Sequence, residues 1–186
     1  KEQAARLLNV TTDEIVLTSS TTEGLNIVLN GLDWHEGDEI ITCGLEHVSV
    51  LVPSLMLQDR YGVQVKVLQF ASAEGHESIL CQVEEAITPR TRMVFFSHIQ
   101  YSTGLRMPVE GMRELTRQRG ILMLLDSAQG AGHIDLDMRK IDCEFYSFSG
   151  QKWLLGPSGT GGLYIRKDMI PQVRPVRVSG RSTPSH

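Results

Sequence analysis

The sequence predicts an α/β protein in which a mostly parallel sheet carries helices on both faces. Short apolar runs rich in β-branched residues alternate with amphipathic segments, and this alternation is typical of repeated strand–helix–strand units. The 186 residues suffice for one well-packed domain and are marginal for two. The predicted strands are 14–18, 39–42, 63–68, 93–97, 121–126, 144–149 and 161–165, and the predicted helices are 22–30, 49–61, 78–87 and 109–118.

Composition and flanking residues support these elements in chain order. The length and β-branched content of the apolar runs suit strands that are buried on both faces. The first helix follows a Ser/Thr cluster that can cap its N-terminus, and the next two helices each follow a predicted strand. The last helix starts just after Pro108, and Gly120 is placed to end it.

The two ends of the chain indicate a fragment of a longer polypeptide. Residues 1–8 resemble the end of a helix that began earlier, and residues 174–186 are rich in Arg, Ser and Pro with no packing pattern. We therefore expect one large domain over 1–170, truncated at both ends. Residues 171–186 are expected to connect it to a missing C-terminal small domain.

Charge and cysteine content argue against several classes of function. A net charge of −4 and a pI near 5.9 provide no basic field for nucleic acid or an anionic membrane. No apolar run approaches the roughly 20 residues that span a bilayer, and no secretory signal pattern opens the chain, so we expect a cytoplasmic protein. Cys43, Cys81 and Cys143 lack CxxC spacing, which argues against disulfides and structural zinc, and each is expected to be a small buried hydrophobe.

The residues directly after each strand are the candidates for chemistry, because ligands of open parallel sheets bind beyond the carboxyl ends of the strands. After the first strand, Thr21 and Thr22 stand where a helix begins. Free backbone N–H groups and adjacent hydroxyls make an anion cradle there, which suits a phosphate. A simple helix cap is the structural alternative.

A histidine and a tyrosine follow two further strands. His47, preceded by Glu46, could bind a metal, transfer protons, lie flat against a ring or be structural. No second His or Cys has convincing ligand spacing, so no metal site is expected. Tyr101 lies in the polar loop 97–104 and has a hydroxyl that can donate to a ligand oxygen.

An acid and a lysine follow the fifth and sixth strands. Asp126 ends a run of five apolar residues, where a carboxylate is costly to bury without a partner such as a protonated ring nitrogen. Its structural alternative is a cap for the next turn. Lys152, flanked by Ser and Gly at the mouth of a strand, is a candidate amine nucleophile, although most isolated lysines are solvated surface charges.

The Gly-rich segment 156–162 does not form a P-loop. It lacks the Lys-Ser/Thr ending of that motif, and a strand rather than a helix follows it. The segment is therefore interpreted as a flexible turn.

The order of these motifs strongly resembles the class V aminotransferase family of pyridoxal-phosphate (PLP) enzymes. The motifs are Thr-Thr-Glu-Gly, Glu-His, Ser-His with a following Thr-Gly, Asp-Ser-Ala-Gln, Ser-Gly-Gln-Lys and the Gly-rich turn. The resemblance covers about residues 14–166, and the Asp-x-Ala-Gln and Ser-Gly-x-Lys pair is its most specific part. It implies the large domain of the PLP-dependent transferase fold type I, with PLP as the cofactor.

The resemblance also implies roles for the catalytic residues. Lys152 would form the Schiff base with PLP and later move protons at the substrate Cα. Asp126 would pair with the protonated pyridine nitrogen, which keeps the ring an electron sink. His47 would stack on the pyridine ring.

The remaining cofactor contacts follow from the same resemblance. Thr21, Thr22 and Ser149 would bind the phosphate, and Gln129 would reach the phenolic oxygen. Gln151 stands where desulfurase-like relatives usually carry His, and its amide can still donate to the phosphate. Tyr101 stands where relatives often carry Asn.

The reaction expected from the resemblance is that of a cysteine desulfurase or a cysteine/cystine C–S lyase. The desulfurase cysteine and the arginine that binds the substrate carboxylate lie after the lysine segment in this family, and none of the three cysteines of this chain matches that cysteine. The alternatives are a class V aminotransferase or isopenicillin N epimerase-like enzyme, a nucleotide-binding α/β domain and a non-catalytic homologue.

Two further expectations concern the assembly. The tail at 178–182 is faintly similar to a loop of cystine C–S lyases that lies near the phosphate site of the partner subunit. We expect a homodimer with the active site near the subunit interface and an amino acid as the small-molecule substrate.

Overall fold

The computed structural model describes residues 1–71 and 73–178, which form one seven-stranded sheet flanked by helices. The strands are β1 (Ile15–Thr18), β2 (Glu39–Cys43), β3 (Gln64–Leu68), β4 (Thr91–Ser97), β5 (Leu122–Asp126), β6 (Phe145–Ser149) and β7 (Gly161–Ile165). The α-helices are α1 (Glu2–Leu8), α2 (Thr21–Gly31), α3 (Val48–Tyr61), α4 (His76–Ala86), α5 (Val109–Arg117) and α6 (Met138–Ile141), and Thr12–Glu14 and Lys167–Gln172 form 3₁₀ helices.

The strand order is β1-β7-β6-β5-β4-β2-β3, and this sheet confirms the predicted α/β class. Strands β2 to β6 pair in parallel, whereas β7 runs antiparallel to both β6 and β1. Because β7 reverses direction between them, β1 points the same way as β6. The carboxyl ends of every strand except β7 therefore meet at one edge of the sheet.

Helices cover both faces, as the alternation of strands and helices predicts. Helices α2 and α3 pack on one face through residues such as Leu25 and Val50, and Phe95 of the sheet belongs to the same cluster. The other four helices pack on the opposite face, where Phe96 points. Side chains of successive strand residues thus fill two separate cores, as the period of two requires.

The two edge strands correct the expectation that all strands are buried on both faces. Leu17 of β1 and Val67 of β3 are 61% and 40% exposed, because each of these strands has a neighbour on one side only. Cysteine burial also needs a correction. Cys43 and Cys143 are buried as expected, but Cys81 lies on the solvent side of α4 and is exposed.

The segment after β7 remains attached to the domain surface. Met169 is buried in the same core as α2 and α3, and the Arg174 N–H donates to the carbonyl of Gly31 at 2.8 Å. The predicted boundary after residue 170 falls inside a 3₁₀ helix and stays a prediction. Residues 179–182 of the predicted lyase-like tail lie outside the described residues.

No described helix combines the length and the apolar character that crossing a membrane requires.

A close approach between α2 and β6 sets the position of the α2 N-terminus. The buried Ser147 hydroxyl donates to the carbonyl oxygen of Thr21 at 2.8 Å. Gly24 makes this contact possible, because a Cβ at this position would lie 2.2 Å from Ser147 Oγ. The first turn of α2 is therefore held directly over the sheet edge where the parallel strands end.

Gly24→Ala should destabilise the protein by about 1–3 kcal/mol in urea unfolding, because overpacking outweighs the gain in helix propensity. Gly111→Ala in α5 is the matched control. Its Cβ would meet only the end of the Leu80 side chain, which can move. Adding Ser147→Ala should recover part of the Gly24→Ala loss, so additive losses would contradict the proposed contact.

Candidate active site

One pocket at the carboxyl edge of the sheet brings the predicted site residues together. Its cavity volume is about 200 Å³. All of the predicted residues line it, namely Thr21, Thr22, His47, Tyr101, Asp126, Gln129, Ser149, Gln151 and Lys152. Ser20, Ser49, Ser97, Ile99 and Ala128 complete the lining. The convergence follows from the topology, because these residues come after strands whose ends meet at this edge.

Asp126 lies at the centre of the pocket floor, at the end of the middle strand of the sheet. It stands in register between Ser97 of β4 and Ser147 of β6, and its side chain is buried. The Ala128 N–H donates to Asp126 Oδ1 at 2.8 Å, so the carboxylate also caps the next turn. The sequence left open that Asp126 only caps the next turn, and this hydrogen bond shows that it does cap that turn.

Burial raises the pKa of Asp126 above its ordinary value, because desolvation disfavours the carboxylate. The Ala128 hydrogen bond and the nearby charges of Lys152 and His47 act in the opposite direction and do not offset it. Within residues 1–71 and 73–178, no group donates a hydrogen bond to Oδ2. A cation with an N–H group therefore suits this position.

The N-terminus of α2 forms the second part of the pocket. The N–H groups of the first helical turn lack intrahelical partners. The Ser20 hydroxyl accepts that of Glu23, and the Ser20 carbonyl accepts the Gly24 N–H as the first intrahelical bond of α2. The N–H groups of Thr21 and Thr22 remain for a ligand. Thr21 Oγ1 is buried and has no hydrogen-bond partner among the described residues.

Side chains from the β6 loop complete this donor set. Ser149 is buried at the end of β6 beside the N-terminus of α2. Gln151 accepts the Gly159 N–H through Oε1 at 2.8 Å, so its amide NH₂ remains free to donate. Hydroxyls, an amide and a helix N-terminus together suit an anion such as phosphate.

His47 forms a side wall of the pocket and caps α3. Its Nδ1 accepts the Ser49 N–H at 3.1 Å, so a neutral ring carries its proton on Nε2. The ring of Tyr101 meets His47 edge-on, with centroids 5.0 Å apart and planes at 90°. The predicted stacking of His47 on a ligand ring stays a prediction.

Lys152 lies in the turn after β6 at the pocket mouth. Its ammonium makes no hydrogen bond or ion pair with residues 1–71 or 73–178. Most exposed lysines are only solvated charges, but this one shares a pocket with a buried carboxylate and an anion cradle. The combination can hold an aromatic phosphorylated ligand and place an amine beside it.

Glu46 is a buried residue of this region to which the sequence assigned no role. Its carboxylate accepts from the Ser97 N–H at 2.9 Å, from the Ser97 hydroxyl and from Gln100 Nε2 at 2.7 Å. Burial, with a smaller contribution from the charge of Asp126, raises its pKa to about 7. Its position directly before His47 was visible in the sequence, but its burial depends on the neighbouring β4 loop.

Ser20, Ser49, Ser97, Ile99 and Ala128 were also missed as pocket residues, although each lies at or shortly after the end of a strand. In the part of the chain that the structure describes, no group of three or more His, Cys, Asp or Glu side chains could hold a metal ion.

The chain is similar to known proteins along almost its whole length. The family Aminotransferase class-V matches residues 1–185. The cysteine desulfurase of Enterobacter sp. strain 638 is 35% identical over 186 residues, with 97% of this chain and 45% of that protein covered. The isopenicillin N epimerase of Streptomyces clavuligerus is 31% identical over 180 residues, with 96% of this chain and 45% of that protein covered.

Solved structures extend the similarity to the fold. Two structures of C-DES match with a TM-score of 0.91 and 30% identity. Each match covers 99% of this chain and 51% of the C-DES chain. One holds the cystine C–S lyase with its reaction product cysteine persulfide, and the other is a Lys-to-Ala variant with glycine covalently linked to the PLP cofactor.

The chain spans less than half the length of these two curated relatives. The match of the family over residues 1–185 and the similarity in fold agree with the motif order of the sequence. The chain therefore belongs to the class-V aminotransferase family.

Proposed function

We propose that this chain binds PLP, forms a Schiff base with it through Lys152, and belongs to a cysteine desulfurase or a cysteine/cystine C–S lyase. One observation carries the proposal: every residue to which the family resemblance assigns a cofactor contact lines the same pocket. Together they supply an anion cradle, a buried carboxylate and an amine in one cavity, which is the set of groups that PLP requires.

The residues of the pocket fit each part of PLP. The N-terminus of α2, with the unpartnered Thr21 hydroxyl, suits the phosphate. Asp126, buried and without a cationic partner in contact, suits the pyridinium nitrogen. Gln129 and Gln151 suit the oxygens of the cofactor. C-DES, which shares the fold at 30% identity, holds PLP.

The proposed roles follow from these positions. PLP supplies an electron sink for a substrate that has lost its Cα proton. Asp126 holds the proton on the pyridine nitrogen, and the His47 ring orients the cofactor from the pocket wall. Lys152 would hold the cofactor through Nζ, and its amine would take and return the proton at the substrate Cα.

A sulfur amino acid is the proposed substrate, because a cysteine desulfurase and a cystine C–S lyase are among the similar proteins. Within the chain, Cys43, Cys81 and Cys143 do not line the pocket. Burial raises the pKa of the Cys43 and Cys143 thiols, which keeps them protonated and unreactive. The proposed chemistry on sulfur therefore uses none of them as the nucleophile.

An epimerase is the second candidate, since isopenicillin N epimerase of Streptomyces clavuligerus is 31% identical to this chain. The two functions separate by product. Sulfide release from cysteine or cystine supports the sulfur enzyme, whereas exchange of the Cα proton with solvent and inversion at Cα without loss of sulfur supports the epimerase.

We further propose a cytoplasmic homodimer. Val48, Val52 and Met56 follow one another at helical spacing on the exposed face of α3. They line a groove that shares Thr22 and Ser49 with the pocket. An apolar groove beside the pocket supports an interface with a second copy near the active site. The unpaired thiols of all three cysteines fit a reducing compartment.

Lys152→Ala should abolish the visible absorption band of lysine-bound PLP, and borohydride should abolish the same band in the wild type. The reason is that no other amine lines the pocket within the described residues. Absorption spectra after incubation with PLP measure both effects. Lys140→Ala, an exposed lysine on α6, is the matched control and should keep the band. A colourless wild-type protein would contradict the proposal.

Asp126→Asn should lower turnover by about 100- to 1,000-fold with PLP still bound, because an amide does not hold the proton on the pyridine nitrogen. Steady-state kinetics with cysteine and cystine measure the loss. The cofactor-free variant should unfold within about 1 kcal/mol of the wild type, because the amide oxygen still accepts the Ala128 N–H and no carboxylate is desolvated. Asp135→Asn, at an exposed position, is the control, and equal losses in both variants would argue against the role.

Val52→Asp should convert the proposed dimer to monomers, because a charge would be buried in the interface. Sedimentation at micromolar concentration measures the change. Val67→Asp, at an exposed position on the edge strand, is the matched control and should leave the mass unchanged. A wild-type protein that sediments as a monomer would refute the dimer.

A further inference from the structure

The residue after Lys152 links the lysine turn to a second loop of the pocket. Trp153 donates its indole N–H to Gln129 Oε1 at 2.9 Å. Its ring stacks on the His133 imidazole, with centroids 4.1 Å apart and planes within 17° of each other. Gln129 and His133 belong to the loop that follows Asp126, so one side chain spans the loops after β5 and β6.

The backbones of the two loops are also in close contact. Gly132 has a φ of +85°, and a Cβ there would lie 2.7 Å from the carbonyl oxygen of Trp153. His133 Nδ1 lies 3.2 Å from the Gln129 carbonyl oxygen, which closes the loop on itself. The Trp153 side chain therefore packs on a loop that is held by its own hydrogen bond and by a close backbone contact.

The indole determines which way the Gln129 amide points. A tryptophan nitrogen can only donate, so the amide atom that faces it must be the oxygen. The NH₂ group of Gln129 is then the end that remains for the pocket, which Gln129 lines. Without Trp153, the amide could present either its oxygen or its nitrogen to a ligand.

We infer that Trp153 is a positioning residue that makes Gln129 a hydrogen-bond donor to the phenolic oxygen of PLP. The inference rests on the proposed function, because it assumes that PLP occupies the pocket through Lys152. The phenolic oxygen shares a proton with the imine nitrogen that joins PLP to Lys152. A hydrogen bond donated to this oxygen stabilises its negative charge and therefore favours the state in which that proton has been lost. Trp153 would therefore act on the protonation state of the bound cofactor without touching it.

Trp153→Phe tests this role, because phenylalanine keeps an aromatic ring against His133 and removes the indole N–H. We expect PLP to dissociate with a Kd about fivefold to tenfold higher. The pH midpoint of the visible absorption band should rise by about one pH unit, because the deprotonated state loses a donor. A role in folding alone would leave that midpoint unchanged.

Trp34→Phe is the matched control. Trp34 is the other tryptophan of the chain and lies buried in the α2–α3 core, where its indole donates to the Leu29 carbonyl. Its replacement should leave the pH midpoint and the Kd for PLP within twofold of wild type. An equal shift in both variants would overturn the inference.

Gln129→Glu provides a second route to the same test, because it removes the proposed donor and leaves Trp153 in place. The carboxylate keeps an oxygen for the indole but has no N–H for the cofactor, so the midpoint should rise at least as far. Adding Trp153→Phe to Gln129→Glu should change nothing further, and additive shifts would overturn the inference. If the wild type shows the band and Trp153→Phe keeps its midpoint and its affinity for PLP, the role of Trp153 alone is overturned. If the wild type shows no borohydride-sensitive band, the proposed function is overturned as well.

Discussion

A buried carboxylate in the middle of the sheet is the constraint that the rest of the pocket satisfies. Asp126 ends the central strand without its hydration shell, and a single backbone N–H from Ala128 stabilises it. His47 and Lys152 bring positive charge near it without pairing with it. In the proposed complex the pyridinium is the missing cation, and the anion cradle at Thr21 holds the opposite end of the same molecule. One ligand thus satisfies both the buried Asp126 carboxylate and the unpartnered donors at Thr21.

The order of the strands explains how residues far apart in the chain reach this carboxylate. Parallel strands β2 to β6 end at one edge, so His47, Asp126 and Lys152 arrive on separate loops at the same place. The missing side chain of Gly24 lets α2 approach β6 closely enough for its first N–H groups to face the same space. The distances within the pocket are therefore set by the sheet and one helix crossing rather than by the loops themselves.

The sequence predicted the α/β class and nine of the residues that line the pocket, because strand periodicity and the strand-end rule are local properties and the motif order is specific. It did not predict that β3 lies exposed at an edge, since lateral strand order is not a local property. The burial of Glu46 and the bond from Trp153 to Gln129 were missed for the same reason. Both depend on loops from different strands packing together. The prediction that Cys81 is buried was wrong, because the face of α4 that it occupies packs against no other element of the described residues.

The position of the antiparallel strand β7 determines when β1 can join the sheet during synthesis and folding. It is the neighbour that joins β1 to the rest of the sheet, with Ile15 opposite Tyr164, so β1 cannot pair until β7 has been synthesised. Closing such a long loop is entropically costly and slow. A nascent chain that ends before Gly161 would already contain Thr21, Asp126 and Lys152 and would still have no partner strand for β1. Synthesis of β7, rather than of Lys152, is therefore the event that lets β1 join the sheet.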